Sequence, residues 1–455
     1  MQPKSQDKQG CLFKQKLSEF INMNHELVKL ADKIDWQVFE KEFGRVYIAG
    51  KGRPALPTRL MVGLQFLKST YNLSDEETVS MLMQNVYWQY FCGFVYFENK
   101  LPLDPSSMTR WRKRVKSQGM EKLLEQTVKT ALEVKCIKPK DLEKVTTDTT
   151  VQETNIAFPT DITLMARACE LLVRESKKLN IVFRQTYVRT IPHLLRKYWH
   201  SNRSKKYKES KKILRKVKTI LGRLIREIRN KLQLKRMTER LKELLSQSER
   251  IYNQKRTDKN KIYSLFEPDT NCIGKGKAKQ KYEFGHKVSI TVTHRSNFVI
   301  GALALSGCPN DATTLKSSIE QVTRITKVKP KEIYCDKGYR GAEWHREISG
   351  KVLIPGVKQE ITKRQKRDLK RRNAIEPIIG HMKFGHGMQR SFLKGEAGAA
   401  VNALMSACGF NIRKLLKYLK SFLHFFKNWK ITSKMQILRF FRSYFQNFCK
   451  FAIVQ

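Results

Sequence analysis

Three acidic side chains stand where charge chemistry is plausible, and they are far apart in the chain. Asp148 lies in the middle of Val145-Thr146-Thr147-Asp148-Thr149-Thr150-Val151, a β-branched run with nothing local to neutralise a carboxylate. Asp336 ends the strand-like stretch Glu332-Ile333-Tyr334-Cys335, ahead of a turn at Gly338. Glu376 follows Arg372 by four residues and precedes Lys383 by seven, so in a helix the three share a face. Ile375, Ile378, Ile379 and Met382 recur at spacings of three and four and form an apolar stripe behind them. A lone carboxylate between two cations, on a helix backed by core, suits holding a metal ion and touching phosphate. An ordinary salt-bridged helix face has the same spacing, and a solvent-facing Asp on an edge strand would look like Asp148. Pro377 would kink a helix interior. If Asn373 caps the helix, Pro377 falls in the first turn at little cost but Arg372 is left outside. Both arrangements fit the residues.

For these acids to act together, a sheet must gather them. Val288, Ile290 and Val292 alternate, a polar turn spans His294 to Asn297, and Phe298–Leu305 follows, which predicts a hairpin. Asp311 is expected to cap a helix carrying Leu315, Ile319, Val322 and Ile325. The strand ending at Asp336 comes next, then Val352–Ile354, then the helix with Glu376. Strands interleaved with helices predict an α/β fold with ligands at the strand ends. Three carboxylates meeting there would repel one another unless divalent cations lay between them. Mg²⁺ is the usual solution, with Mn²⁺ the other candidate. Two ions about 3.5–4 Å apart would stabilise the attacking and leaving oxygens of an in-line phosphoryl transfer.

The partner class follows from charge. The 455 residues carry 90 Lys and Arg against 41 Asp and Glu, a formal net charge of +49. Such a surplus strains a compact fold by self-repulsion unless a polyanion offsets it, and nucleic acid is the first candidate, ahead of a membrane surface or ribosome. No apolar run of about eighteen residues appears, so no membrane span is expected. The polar N-terminus lacks a secretory apolar core, and nine scattered Cys without a Cys-x-x-Cys pair fit reduced thiols in a cytoplasm. Residues 1–135 read as all-helical. Leu60, Leu64 and Leu67 mark one helix, and Ser74 with Glu77 forms a capping box for the next. Asp104-Pro105-Ser106-Ser107 then opens a short basic helix, capped by Ser106 or Ser107. Met108, Trp111 and Val115 would turn inward, and Arg110, Arg112, Lys113 and Arg114 supply charge for DNA. Short helices with an exposed basic last member suit helix-turn-helix docking in a major groove. A helical bundle with merely solvated cations is the alternative.

With the acids and their elements in view, the chain resembles bacterial transposases with an Asp-Asp-Glu site, in particular the insertion-sequence-five group. Thr146–Asp161 (TTDTTVQETNIAFPTD) is similar to the family's first-acid block, Tyr334–Gly341 (YCDKGYRG) to its second, and Arg371–Lys383 (RRNAIEPIIGHMK) to its third. The segment from about 58 to 120 resembles the family's N-terminal DNA-binding region. The resemblance implies a ribonuclease H-like catalytic domain over 140–414, a mixed sheet flanked by helices, and cut-and-paste chemistry. By position it implies that Asp148, Asp336 and Glu376 are the metal-binding catalytic acids, holding two Mg²⁺, and that Arg372 and Lys383 contact DNA at the element end. It also implies double-stranded DNA partners (terminal inverted repeats and target), a dimer on DNA, and a nucleoid-associated place in a bacterial cytoplasm. Where the family's signature helix has a Tyr three residues before the Arg, this chain has Leu369. His381 falls inside the third block, and both it and His286 read as packed or capping side chains.

Two segments stand outside this frame. The helical basic insertion, about 165–280, carries Ile213, Val217, Ile220, Leu224 and Ile228 at coiled-coil spacing, which predicts one or two long projecting helices that clamp DNA or pair with a second subunit. A solvated charged hairpin is the alternative. Residues 273–281 read as a flexible basic loop, without the spacing of a phosphate-binding loop. The basic aromatic tail, 415–455, suits DNA, a membrane surface or a partner. Besides an active transposase, a catalytically inactive DNA-binding derivative and an RNA-binding protein remain as readings. Only the first requires the three acids.

Overall fold

The structure, a computed structural model, describes residues 14–45, 47, 54–100, 103–231, 238–255, 257–274, 281–357 and 360–421. Most of the loop at 273–281 and of the tail beyond 415 lies outside the described residues. Seven helices come first: α1 (Leu17–Phe20), α2 (Glu26–Lys33), α3 (Trp36–Gly44), α4 (Thr58–Tyr71), α5 (Asp75–Gln84), α6 (Val86–Phe91) and α7 (Ser106–Glu133). Side-chain caps start several of them. Asp35 accepts from the Gln37 amide, and Ser74 and Glu77 form the expected capping box on α5. Helix α4 is buried on almost every side, because α3, α5 and α7 pack around it. Helix α7 breaks at Lys116, whose φ of 59° and ψ of −172° lie outside helical space. Its first part packs into the N-terminal helices through Met108, Trp111 and Val115, all buried as expected. Neither Ser106 nor Ser107 caps it; Asp104 does that work, accepting from the Ser106 amide at 2.9 Å.

The second part of α7 reaches the sheet. Seven strands form it: β1 (Lys144–Thr154), β2 (Asn271–Gly274), β3 (Tyr282–Thr293), β4 (Val299–Leu305), β5 (Glu332–Tyr334), β6 (Lys351–Leu353) and β7 (Arg390–Ser391). The path runs β2-β3-β1-β5-β6, with β4 also on β3 and β7 also on β1. Pairings β2–β3, β3–β4 and β1–β3 are antiparallel, and β1–β5, β5–β6 and β1–β7 are parallel, so the sheet is mixed. The β3–β4 hairpin turns where expected, with Asn297 at a φ of 51° and the Thr293 hydroxyl accepting from the Phe298 amide. Strand β1 is central, so Val145, Thr146, Thr147 and Val151 are all buried. Gly285 has strands on both sides, opposite Glu153 of β1 and Asn271 of β2. A Cβ there would lie 2.0 Å from the Gln152 carbonyl oxygen, so only glycine allows that approach.

Helix α12 (Asp311–Thr326) packs on β3 and β4. Helix α13 (Lys363–Arg371), a 3₁₀ turn over Arg372–Ala374, and α14 (Ile375–Gly385) follow β6, and α14 packs against β1. A last helix, α15, covers 395–421. Its Asn411 holds the start of β4 by accepting from the Val299 amide and donating to the Val299 carbonyl and the Thr127 hydroxyl. One continuous buried cluster runs from Leu27 to Leu419, joining the N-terminal helices to the sheet. The boundary expected near residue 135 falls inside this shared core.

The insertion is built otherwise than its seam suggested. Between β1 and β2 lie four helices, α8 (Asp161–Lys177), α9 (Thr190–Arg203), α10 (Tyr207–Lys231) and α11 (Glu239–Asn253), around a second core of their own. Ile213, Val217, Ile220, Leu224 and Ile228 are buried in it. Helix α10 packs on α8, α9 and α11, so the seam is filled within this chain rather than offered to a second subunit. Apolar residues of α8, among them Ala168, Cys169 and Leu172, supply the partner surface that the reading of a projecting hairpin left out.

Candidate active site

The parallel pairing of β1 with β5 sets the site. Thr146 lies opposite Tyr334, and Asp148 and Asp336, each two residues further on, are near enough for the charge of Asp336 to act on Asp148. Asp336 starts a short 3₁₀ segment, Lys337–Tyr339, just past the end of β5. Arg372 comes from the turn between α13 and α14, and its Nη2 stands 3.5 Å from Asp336 Oδ1. The same nitrogen donates to Asn373 Oδ1 at 2.8 Å, while Nε is buried without a partner. Glu376 is one turn further on, exposed, on the helix that packs against β1. Lys383 is half-buried near the end of α14, backed as expected by buried Ile375, Ile378, Ile379 and Met382.

The structure resolves the dilemma over Pro377 differently from either arrangement considered. Helix α14 begins at Ile375 with Ala374 at its cap position and no side-chain cap, so Pro377 lies in the first turn, where its missing donor costs little. Asn373 accepts from Arg372 instead of capping, and the 3₁₀ turn keeps Arg372 beside the site.

A fourth acid joins this group. Asp311 was expected to cap α12, but Asn310 holds the cap position and the Asp311 carboxylate turns to the sheet. Its Oδ1 accepts from Thr149 Oγ1 at 2.6 Å and lies 2.7 Å from Lys287 Nζ. It also borders the Asp336 turn, since a Cβ on Gly338 would fall 2.9 Å from Asp311 Oδ2. The Asp148 carboxyl records this company. Burial pushes it from 3.8 to about 6; the Thr149 amide draws it down, Asp336 and Asp311 push it up, and Arg372 opposes them. Among the described residues, no three His, Cys, Asp or Glu side chains stand close enough together to hold a metal ion as they are. Asp148, Asp336 and Asp311, with Arg372 and Lys287 beside them, are oxygen donors of the kind a hard divalent cation takes.

Behind the acids, a polar clamp fastens α13 to the sheet. The Tyr334 hydroxyl meets Glu332 at 2.7 Å and Asp368 at 3.2 Å, Gln365 donates to Glu332, and Lys144 pairs with Glu332. His294 stacks on Tyr334 with ring centroids 4.2 Å apart, and its Nδ1 meets Thr146 Oγ1 at 2.8 Å. Burial lowers this imidazole to about 4, so it stays neutral near pH 7. Arg371 ties down the helix end by donating to the His294 and Arg295 carbonyls. The next residue, Arg372, is held in place by these bonds. No local periodicity marks this clamp, because its members come from four separate stretches of chain.

In the basic helix, Arg110, Lys113 and Arg114 are exposed. Arg112 is a correction: its side chain is 6% exposed and meets Asp75, the Gln65 amide oxygen and the Thr109 hydroxyl. It serves packing, and its charge is already matched. The spacing held this signal, since Met108, Arg112 and Val115 follow one another at four and three, along the inward stripe. His286 is buried, as expected of a packed side chain, whereas His381 is exposed.

Comparison with known proteins agrees with this geometry. The family described as "Transposase domain (DUF772)" matches residues 15–114, and the family described as "Transposase DDE domain" matches 256–412. The second match contains Asp311, Asp336, Arg372, Glu376 and Lys383; Asp148 lies ahead of it, across the insertion. A protein of Rhizobium meliloti named "Uncharacterized protein ORF8 in nfe locus" is 48% identical over 178 residues, which make up 39% of this chain and 86% of that protein. No solved structure matches the chain. A DDE domain implies a ribonuclease H-like fold, and the mixed sheet flanked by helices meets that requirement. With the two transposase families matched in order over more than half of its length, the chain belongs to the DDE transposases, enzymes that cleave DNA in the transposition of insertion sequences.

Proposed function

We propose that this transposase is of the insertion-sequence-five group and moves its element by cut-and-paste, with Asp148, Asp336 and Glu376 as the catalytic acids. The observation that supports the reading is that Asp148 feels the charges of Asp336 and Arg372, that Arg372 stands 3.5 Å from Asp336, and that Glu376 lies on the helix packed against β1. Asp148, Asp336 and Glu376 would hold Mg²⁺, and Asp311 stands beside them. Divalent metal would supply activation of the attacking oxygen and offset the charge that builds on the phosphate. The chain's own part is to orient. The β1–β5 pairing brings two of the carboxylates within reach of each other's charge, and the Tyr334–Asp368 clamp holds the start of α14. Arg372 offers its guanidinium to Asp336 and, in the complex, to a DNA phosphate at the element end, with Lys383 further along the same helix. Arg110, Lys113 and Arg114 would grip the terminal repeat from the N-terminal helices, in a helix-turn-helix-like manner, and a dimer would pair two ends.

The test is cleavage of a plasmid carrying the gene's own flanking sequences, with Mg²⁺, Mn²⁺ or chelator. Metal-dependent release of the element with 3′-hydroxyl ends is expected. Asp336→Asn and Glu376→Gln should each lower the rate by on the order of 10³-fold or more, the effect of losing several kcal/mol of charge stabilisation. Full activity of Asp336→Asn would end the assignment. End binding that is indifferent to metal and never followed by cutting would favour an inactive derivative.

A further inference from the structure

We infer that the four-helix insertion is itself a binding module for the backbone of duplex DNA, through one face of α10. This rests on the reading of duplex DNA as the substrate. Lys208, Lys212, Arg215, Lys216, Arg223 and Arg226 are exposed along one side of α10, opposite buried Val217, Ile220, Leu224 and Ile228. The other residue of that row, Thr219, turns its hydroxyl back to the Arg215 carbonyl. No carboxylate lies on the row, and among the described residues none of the six cations makes an ion pair. Among the described residues, some of the other exposed cations of this bundle are paired and some, such as Arg196, Arg203 and Lys211, are not. Lys178, Lys197, Arg229, Lys231 and Lys242 each lie against a glutamate. The acids of the bundle are thus used elsewhere, and one row is left wholly positive.

Such a row is unfavourable in isolation. Lys208 and Lys212, and Lys212 and Lys216, are like charges four residues apart, each pair costing about 0.2–0.5 kcal/mol of helix stability. The buried seam on the far side of α10 supplies the stability that tolerates this. From Lys208 to Arg226 the row runs about 27 Å at helical rise, and B-DNA of that length carries on the order of sixteen phosphate charges. A straight, rigid line of long cationic side chains without acids fits a regular phosphate backbone and reads no bases. The bundle also departs from β1 and returns at β2, and β1 carries Asp148, so DNA held on α10 is tethered to the strand of the first acid.

The test uses the full chain. Lys212, Lys216, Arg223 and Arg226 are changed together to Gln, and in a control variant the ion-paired Lys178 and Lys242 are changed to Gln. Binding of a 40-base-pair duplex of arbitrary sequence is followed against salt, with single-stranded RNA as competitor. Each lost phosphate contact should lower the salt slope by about 0.9, so the quadruple variant should lose up to about 3.6 units of slope and the control almost none. Without DNA, the quadruple variant should melt at or above the wild-type temperature, which excludes misfolding as the cause. An unchanged slope in the quadruple variant, an equal loss in the control, or RNA displacing the duplex at equal concentration would each overturn the inference. The transposase reading is judged separately, by metal-dependent cleavage in the wild type.

Discussion

Asp148 and Asp75 are both carboxylates drawn out of solvent, and they titrate in opposite directions. At Asp148 burial raises the carboxyl to about 6. The folded, metal-free chain then binds more protons than the unfolded chain between about 4 and 6, so this group stabilises at low pH and the benefit is lost as pH rises through about 6. Asp148→Asn removes that penalty. In chelator at pH 8 the variant should be more stable than wild type by on the order of 2–3 kcal/mol, while cutting no DNA. Equal melting temperatures at pH 8 would show that the acids are not crowded as described. At Asp75 burial also pushes upward, but the hydrogen bond and charge of Arg112, with Lys68, hold the carboxyl at about 2. Its contribution is present above the ordinary value of 3.8 and is lost as pH falls toward 2. Either Asp75→Asn or Arg112→Ala should cost about 2–3 kcal/mol, less than a fully buried pair because Asp75 keeps some solvent. The double variant should cost little more than either single one, as urea titrations would record. A DNA-facing Arg112 would instead lower the salt slope of binding without loss of stability.

At the level of elements, what the sequence discloses depends on how local the cause is. The capping box at Ser74 and Glu77, the β3–β4 hairpin and the apolar face of α14 were legible because each is decided within a few residues. The two strand acids were legible as candidates because a charge in or beside a β-branched strand is unusual. That the charge of one acts on the other was not legible, since it depends on the parallel β1–β5 pairing, and β5 begins far along the chain after the whole insertion. Asp311 was misread for a related reason. An Asn-Asp pair before an apolar helix is a good cap in isolation, and only the approach of Thr149 and Lys287 from the sheet diverts the carboxylate. The clamp of Tyr334, Glu332, Asp368 and His294 was invisible for the same reason. Its loss should act on Arg372 rather than on the fold alone. Tyr334→Phe should weaken cleavage by on the order of 10-fold through a displaced Arg372, with the metal dependence shifted to higher concentration. Unaltered metal dependence would show that α13 is held by other means.

Across the whole molecule, the charge of +49 is unevenly managed. The N-terminal helices and the sheet share one core, whereas the insertion keeps another, so the two meet through the chain ends of β1 and β2 rather than through a common apolar interior. The matched families cover 15–114 and 256–412 and leave aside the four helices of the bundle together with β1 and the second part of α7. Among the described residues no helix is long and apolar enough to cross a membrane. Removing residues 157–268 and closing the gap with a short Gly/Ser loop should leave a cooperative unfolding transition and protected amides in β1, β3 and β5, measured by hydrogen exchange. Collapse of that protection would mean the two cores depend on each other.

That excision looks feasible because of Gly285. Glu153 and Asn271, where the detour leaves and rejoins the sheet, face this one residue from either side, two interstrand spacings or about 10 Å apart. A gap so narrow can be closed by a short connection as well as by a long one. If the excised chain keeps its sheet, modules of other size or chemistry placed at that doorway should leave the β1–β5 pairing unchanged, which hydrogen exchange on such chimaeras would record.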